Sequence, residues 1–112
     1  MLPKKNRLTK KKDFDLVFKK GKSLVSDFLT FKILESQSKK PRIGFIVSKK
    51  VSKKSTTRNK VKRRLRAAVL NEIGKIKKNM DVIIIASPIT EKKEFLEIKK
   101  AVNDAFKKLR LI

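Results

Sequence analysis

The chain has 112 residues, of which 33 are lysine or arginine and 10 are aspartate or glutamate, so its formal net charge is +23 at pH 7. A hydrophobic content of 39% is enough for one packed domain over residues 1–112, and it excludes a disordered basic tail. Because cysteine and histidine are both missing, disulfides, thiolate metal sites and the commonest general base are excluded as well.

So large a positive charge opposes compaction through self-repulsion, which indicates a polyanionic partner. Nucleic acid is the first candidate for that partner and an anionic membrane surface is the second. The longest apolar run, Val82 to Ala86, is far too short to cross a bilayer. The basic N-terminus also lacks the apolar segment of a secretory signal, so we expect a cytoplasmic protein with no membrane association.

The chain begins with a predicted helix over residues 8–20. Phe14 and Phe18 lie four residues apart on one face, Thr9 is the expected N-cap, and Gly21 is expected to follow the last turn. Taken alone, this pattern favours the two phenylalanines as core residues over a platform on which bases stack.

Two strand regions follow the helix. Residues 23–35 predict a strand with a break near residues 26–27, and residues 42–48 predict another after a polar turn at 36–41. Gly44 stands in the second region, where the close approach of a packed helix is the favoured reason for a glycine.

The second half of the chain alternates helix and strand. A helix capped by Thr56 or Thr57 is expected to run to about residue 77, and residues 81–87 predict a strand covered on both faces. Thr90 is the expected cap of a last helix with an apolar core stripe. We therefore predict a small α/β (α+β) sandwich, with three helices on a sheet of about four strands.

The ten carboxylates do not predict a catalytic site. Their densest group, Glu91, Glu94 and Glu97, falls at the start of the last helix, where acids interact favourably with the helix dipole. A magnesium nuclease working by itself would need several carboxylates converging on one site. Cleavage by this protein alone is therefore a weak alternative.

Residues 58–76, placed on a helical wheel at about 100° per residue, form two stripes. The apolar stripe, expected to be buried, consists of Val61, Leu65, Ala68, Val69 and Ile76. The polar stripe nearly opposite consists of Asn59, Arg63 and Arg66, with Arg58 and Lys62 to one side and Lys60 and Arg64 bordering the core face. This helix is predicted to bury one side and to present asparagine and arginine on the other.

Two features favour phosphate recognition over a merely solvated basic face. No acid lies four residues from any base between residues 58 and 66, so the like charges repel one another. Arginine also clusters here in a chain otherwise rich in lysine, and a guanidinium binds phosphate in a bidentate way that lysine cannot. No helix-turn-helix spacing precedes the helix, which favours RNA over DNA.

The strand and lysine pair RIGFIVSKK, followed by KKSTTRNKVKRRLRAA and preceded by the helix RLTKKKDFDLVFKKG, closely resembles the signature of the bacterial ribonuclease P protein subunit. The similarity covers nearly the whole chain in the same element order. It implies a fold like the second domain of ribosomal protein S5, in the order α-β-β-β-α-β-α. It also implies a left-handed β-α-β crossover, against the general rule for such units.

The resemblance further implies that a large RNA is the catalyst and that this protein is its cofactor, one monomer per RNA. The holoenzyme would remove the 5′ leader of precursor tRNA with Mg²⁺ held mainly by the RNA. The residues that match the family's RNA-binding helix are Arg58, Asn59, Lys60, Lys62, Arg63 and Arg66. Those that match its leader cleft are Phe14, Phe18, Phe31, Ser48, Lys49 and Lys50.

Two positions depart from the family pattern. Lys60 stands where the family usually has an arginine, and Ser52 where it commonly has a glycine. A structural ribosomal or chaperone-like RNA-binding protein with no processing role is the alternative interpretation of the same charge. A membrane-surface role is weaker, because the apolar stripe of the basic helix is needed for the core.

Overall fold

The computed structural model describes residues 2–36, 39–77 and 79–112. Three helices and four strands lie within these ranges, in the predicted order. They are α1 (Lys11–Lys20), β1 (Lys22–Ser26), β2 (Leu29–Glu35), β3 (Arg42–Ile46), α2 (Ser55–Ile73), β4 (Met80–Ala86) and α3 (Phe95–Lys108), with short 3-10 turns at Lys4–Asn6 and Pro88–Lys92. Of the predicted turn at 36–41, residues 37 and 38 lie outside the described residues.

The four strands form one mixed sheet in the order β1-β2-β4-β3. β1 and β2 are antiparallel, as are β2 and β4, whereas β3 and β4 are parallel and are joined through α2. The predicted break in the first strand region is confirmed, since Asp27 turns the chain between β1 and β2 with a φ of 52°. The predicted cover on both faces of β4 is also confirmed, because six of its seven residues are buried. The handedness of the β3–α2–β4 connection stays a prediction.

The main core lies between one face of the sheet and the two helices α2 and α3. Alternate residues of β2 (Leu29, Phe31 and Ile33) point into this core, as their spacing predicts. The ring of Phe31 packs edge-to-face on Phe106 of α3, with the centroids 6.1 Å apart. Such contacts anchor the sheet and place α2 on the side away from α1.

α1 covers the opposite face of the sheet and forms a smaller apolar cluster there, in which Val17 and Ile83 are fully buried. Its ring of Phe14 rests directly on Gly44 of β3. A Cβ atom at Gly44 would lie 2.4 Å from Cζ of Phe14, so only glycine leaves room for the ring. Helix packing is therefore the reason for this glycine, as predicted.

The predicted N-cap Thr9 is wrong, because the chain just before α1 is extended. The Leu8 amide donates to the Ile43 carbonyl at 3.0 Å, and Arg7 forms a parallel bridge with Ile43 at the outer edge of β3. This long-range pairing holds residues 7–8 out of the helix, which begins only after Lys10.

The cap predictions for the other two helices are also wrong. α2 begins at Ser55, one residue before Thr56, with Lys54 at its N-cap and no side chain bonded there. It ends at Ile73, earlier than the predicted residue 77. Thr90 is buried in the 3-10 turn, where its hydroxyl donates to the Phe28 carbonyl at 3.4 Å. The cap of α3 is instead a capping box, in which Glu94 and Glu97 exchange hydrogen bonds with each other's backbone amides.

Candidate nucleic-acid interface

α2 has the two faces that its sequence predicts. Its apolar stripe is buried against the sheet and α3, and Ile76 is buried just beyond the helix end. Asn59, Lys60 and Arg63 are exposed on the opposite side, and Arg66 is half-buried beside them. The burial of one face thus orients the basic residues toward solvent.

The basic side chains of this face are free to bind an anion. Among the residues that the structure describes, no carboxylate pairs with Lys60, Lys62, Arg63 or Arg66. Their mutual repulsion is therefore not offset within the protein. A phosphate backbone would relieve it, and each guanidinium could contact phosphate through two parallel hydrogen bonds.

Arg58 differs from the other predicted contacts, since part of its guanidinium is engaged inside the protein. Its Nη1 donates to the carbonyl oxygens of Ser52 and Lys53, both at 3.0 Å. These bonds tie the preceding loop to the first turn of α2. Arg58 therefore has a structural role that the sequence pattern did not predict, while its remaining donors stay available.

The two predicted phenylalanines of α1 have different environments. Phe14 is half-buried on Gly44, whereas the Phe18 side chain is 42% exposed. The ammonium group of Lys32 lies 5.6 Å from the centroid of the Phe18 ring and donates to the Ser23 hydroxyl at 2.8 Å. An exposed aromatic ring with a cation beside it suits an RNA base and its phosphate.

Beside α1, on the same face of the sheet, lies a strip that the helix does not fully cover, here called the groove. Its floor is a row of cross-strand neighbours, one from each strand, formed by Val25, Thr30, Ile85 and Ile46. Val25 is 72% exposed, and the other three are only partly covered. The sequence reasoning missed this row. Its signal is the apolar residues that alternate out of phase with the core positions of the same strands.

Phe31 does not belong to this groove, and its assignment to the leader cleft is wrong. The side chain is 0% exposed and points to the opposite face of the sheet, against α3. The reason is the period of two along β2, which places Phe31 in phase with the core residue Leu29 and out of phase with Thr30.

Ser48, Lys49 and Lys50 lie in an exposed turn that follows β3. The Ser48 hydroxyl accepts the Lys50 amide at 3.2 Å, and the Ser48 carbonyl accepts the Val51 amide at 3.0 Å. Buried Val51 anchors the turn, so both lysine side chains are held in solvent just before α2.

An ion-pair network fixes α1 on the sheet. Arg42 of β3 binds Asp81 of β4 in a bidentate way, with distances of 2.8 and 2.7 Å, and reaches Asp13 of α1 at 3.3 Å. The hydrogen bonds that Arg42 donates to Asp81, together with the charges of both carboxylates, outweigh partial desolvation and raise the pKa of Arg42. The network positions the helix that carries Phe14 and Phe18.

These carboxylates do not make a metal centre. Within residues 2–36, 39–77 and 79–112, no group of three or more histidine, cysteine, aspartate or glutamate side chains could hold a metal ion. Asp13 and Asp81 already share the guanidinium of Arg42, which offsets part of their charge. None of the described helices is both long and apolar enough to span a bilayer.

Comparison with known proteins agrees with this geometry. Residues 2–110 match the Ribonuclease P family. A ribonuclease P protein component from Pseudanabaena sp. (strain PCC 6903) is 34% identical, over 100% of this chain and 97% of the relative. The RNase P protein of Thermotoga maritima has a TM-score of 0.81 at 29% identity, covering 91% of this chain and 96% of that one. A Staphylococcus aureus RNase P protein mutant with defective mRNA degradation activity has a TM-score of 0.87 at 26% identity, covering 96% and 90%. This chain therefore belongs to the ribonuclease P protein family.

Proposed function

We propose that this chain, as the protein component of ribonuclease P, binds a catalytic RNA through α2 and holds the 5′ leader of precursor tRNA in the groove beside α1. The observation that carries the proposal is that one fold presents two surface features suited to RNA. One is the basic face of α2, and the other is the groove with its exposed aromatic ring.

The basic face of α2 supports binding to a structured RNA. Asn59, Lys60, Lys62, Arg63 and Arg66 lie along two turns of a helix whose other side is buried, so they are presented together on one side of the fold. A structured RNA brings phosphates close together from different strands, and such a cluster of cations can neutralise them. Lys60 supplies a point charge in this set, where an arginine would supply a planar fork.

The groove beside α1 supports binding to a single strand. It is shallow and lined by apolar side chains, with Phe18 and Lys32 on one side, and it offers a surface on which unpaired bases can stack. Lys49 and Lys50, in the turn after β3, supply further charge for the leader backbone. In a mature tRNA the leader is gone, so this contact would be specific for the precursor.

In this proposal the RNA carries out the cleavage and holds most of the Mg²⁺, while the protein increases affinity for the precursor. The chain offers no cluster of carboxylates for a two-metal mechanism among its described residues. One protein monomer would serve one catalytic RNA, in the cytoplasm.

The test is multiple-turnover cleavage of a precursor tRNA that carries a labelled 5′ leader, at near-physiological magnesium and salt. Reactions contain the protein alone, a bacterial ribonuclease P RNA alone, or both. We expect mature 5′ ends to appear efficiently only in the mixture. Cleavage by the protein alone would make it a nuclease. RNA binding without any stimulation would instead favour a structural or chaperone-like RNA-binding protein.

A further inference from the structure

A cavity of about 440 Å³ lies at the outer edge of β3, apart from the open groove floor. Its walls come from three parts of the chain that are distant in sequence. The segment before α1 contributes Arg7 and Thr9, β3 contributes Phe45, and α2 contributes Lys62 and Arg66, while the ring of Phe14 reaches it from α1. The volume is within the range of sites that enclose a small ligand.

The charge of this cavity has one sign. Arg7, Lys62 and Arg66 line it, and no carboxylate does. The Arg7 Nε donates to the Leu2 carbonyl at 2.9 Å, which directs the guanidinium while its two terminal nitrogens have no partner among the described residues. Three cations converging on one concavity indicate an anionic ligand, and the planar guanidinium groups suit a phosphate.

The floor of the cavity is apolar and partly aromatic. Phe45 is only half-buried, and on the opposite face of β3 the Phe14 ring meets Gly44 with its Cζ–Cε1 edge. The half-buried ring of Phe45 beside a cluster of cationic side chains matches the two halves of one nucleotide, the base and its phosphate.

We propose that this cavity binds a single unpaired nucleotide of the catalytic RNA, turned out of its helix, with the base against Phe45 and the phosphate between Arg7 and α2. The proposal rests on the function proposed above, because two of its three cations belong to the RNA-binding face of α2. It adds Arg7, Thr9 and Phe45, which no sequence pattern assigns to RNA.

A crosslinking experiment locates the nucleotide. The chain contains no cysteine, so Thr9→Cys introduces a unique thiol at the rim of the cavity, to which an azidophenacyl group can be attached. With the protein bound to a bacterial ribonuclease P RNA, we expect crosslinks to concentrate at one unpaired nucleotide. Crosslinks spread along paired stems, or found on the precursor leader instead, would overturn the proposal.

Blocking the cavity provides the second measurement. Thr9→Phe fills it without removing a charge, and we expect it to weaken binding to the catalytic RNA about tenfold, the effect of losing one stacked base. Thr9→Ser, which leaves the cavity open, should bind like the parent chain. An RNA that lacks the base of the crosslinked nucleotide should bind the parent chain as weakly as the intact RNA binds Thr9→Phe. Combining the abasic RNA with Thr9→Phe should weaken binding no further.

The charge at Arg7 is tested separately. Arg7→Met should lower the slope of log K against log salt by about 0.7 to 0.9, the effect of one phosphate contact. Lys5→Met, an exposed lysine of the same segment that does not line the cavity, is the matched control for lost charge. If the parent protein stimulates cleavage but Arg7→Met and Lys5→Met behave alike and Thr9→Phe binds normally, the nucleotide site fails while the proposed function stands. If the parent neither binds nor stimulates the RNA, the proposed function itself fails.

Discussion

Replacement of Arg42 by methionine removes the ion pair between α1 and the sheet, and the ion pair with Asp81, while keeping most of the aliphatic stem. The side chain of Asp81 is only 7% exposed and receives two short hydrogen bonds from the guanidinium, at 2.8 and 2.7 Å. Asp13 on α1 loses its contact at the same time. The substitution leaves one buried and one partly buried carboxylate without a counterion.

The expected loss of stability follows from burial. Breaking a buried ion pair by removing one partner costs about 3–5 kcal/mol, because the other charge stays desolvated and unpaired. The Arg42 side chain is 25% exposed, so water can partly replace it, and we take the lower end, about 3 kcal/mol. For a domain of this size that corresponds to a fall in Tm of roughly 10–15 °C.

The assay is urea unfolding of the purified protein, followed by circular dichroism. Arg42→Lys is the matched control, since it keeps the charge but loses the bidentate geometry, and we expect about half the effect. In the Asp81→Asn background, Arg42→Met should lower the unfolding free energy much less, because the buried carboxylate charge of Asp81 is already absent. A loss below about 1 kcal/mol, or equal losses in both backgrounds, would refute the assignment of Arg42 and Asp81 as a stabilising buried ion pair.

The same network predicts how stability depends on pH. The pKa of Arg42 is raised in the folded state, chiefly by its hydrogen bonds to Asp81. When the pKa of a group is higher in the folded than in the unfolded state, the group stabilises the folded state fully at any pH below the unfolded pKa. This contribution is lost only as the pH rises through the folded pKa. The loss of unfolding free energy caused by Arg42→Met should therefore be constant between roughly pH 6 and pH 9. A loss that becomes smaller as the pH rises across this range would contradict a raised pKa of Arg42.

Three further predictions concern the packing of α1 and the two RNA-binding features. Gly44→Ala should lower stability by about 1–3 kcal/mol, because its Cβ would overlap the Phe14 ring, and Phe14→Leu should recover part of that loss in urea unfolding. Phe18→Ala should weaken precursor tRNA binding to the holoenzyme about tenfold and leave mature tRNA binding unchanged; equal losses for both would remove the leader from this groove. Arg63→Ala combined with Arg66→Ala should weaken binding to the catalytic RNA and reduce its salt dependence, with Tm nearly unchanged. As a control, changing two exposed lysines of α3 to alanine should alter neither the affinity for the catalytic RNA nor its salt dependence. If the arginine double variant no longer unfolds cooperatively, the two arginines have a structural role.

Much of the fold follows from local pattern. Hydrophobic periodicity within each segment predicts the order of the elements and the two faces of α2, and a continuous apolar run predicts that β4 is buried. These patterns are local, so they can be read without knowing any contact between distant residues. The positive charge and the arginine cluster likewise indicate an RNA partner before any contact is known. Even the helix packed on Gly44 is predictable, because a glycine inside an apolar strand often marks the close approach of another part of the chain.

The helix starts and the details of the site depend on contacts between distant residues. Thr9 does not cap α1 because Arg7 and Leu8 pair with Ile43, more than thirty residues away. Phe31 is buried because the register of β2 aims it at α3, whereas its type alone would also suit a stacking site.

The cavity at the edge of β3 also depends on contacts between residues that are distant in sequence. Arg7 and Arg66 are separated by about half of the chain, and only the packing of α2 on the sheet and the pairing of residues 7–8 with β3 bring their charges together. The sequence alone determined the elements, their faces and the kind of partner, because hydrophobic period and charge are properties of short segments. The tertiary structure decided which of the basic and aromatic side chains share a site, because that depends on strand register and helix packing.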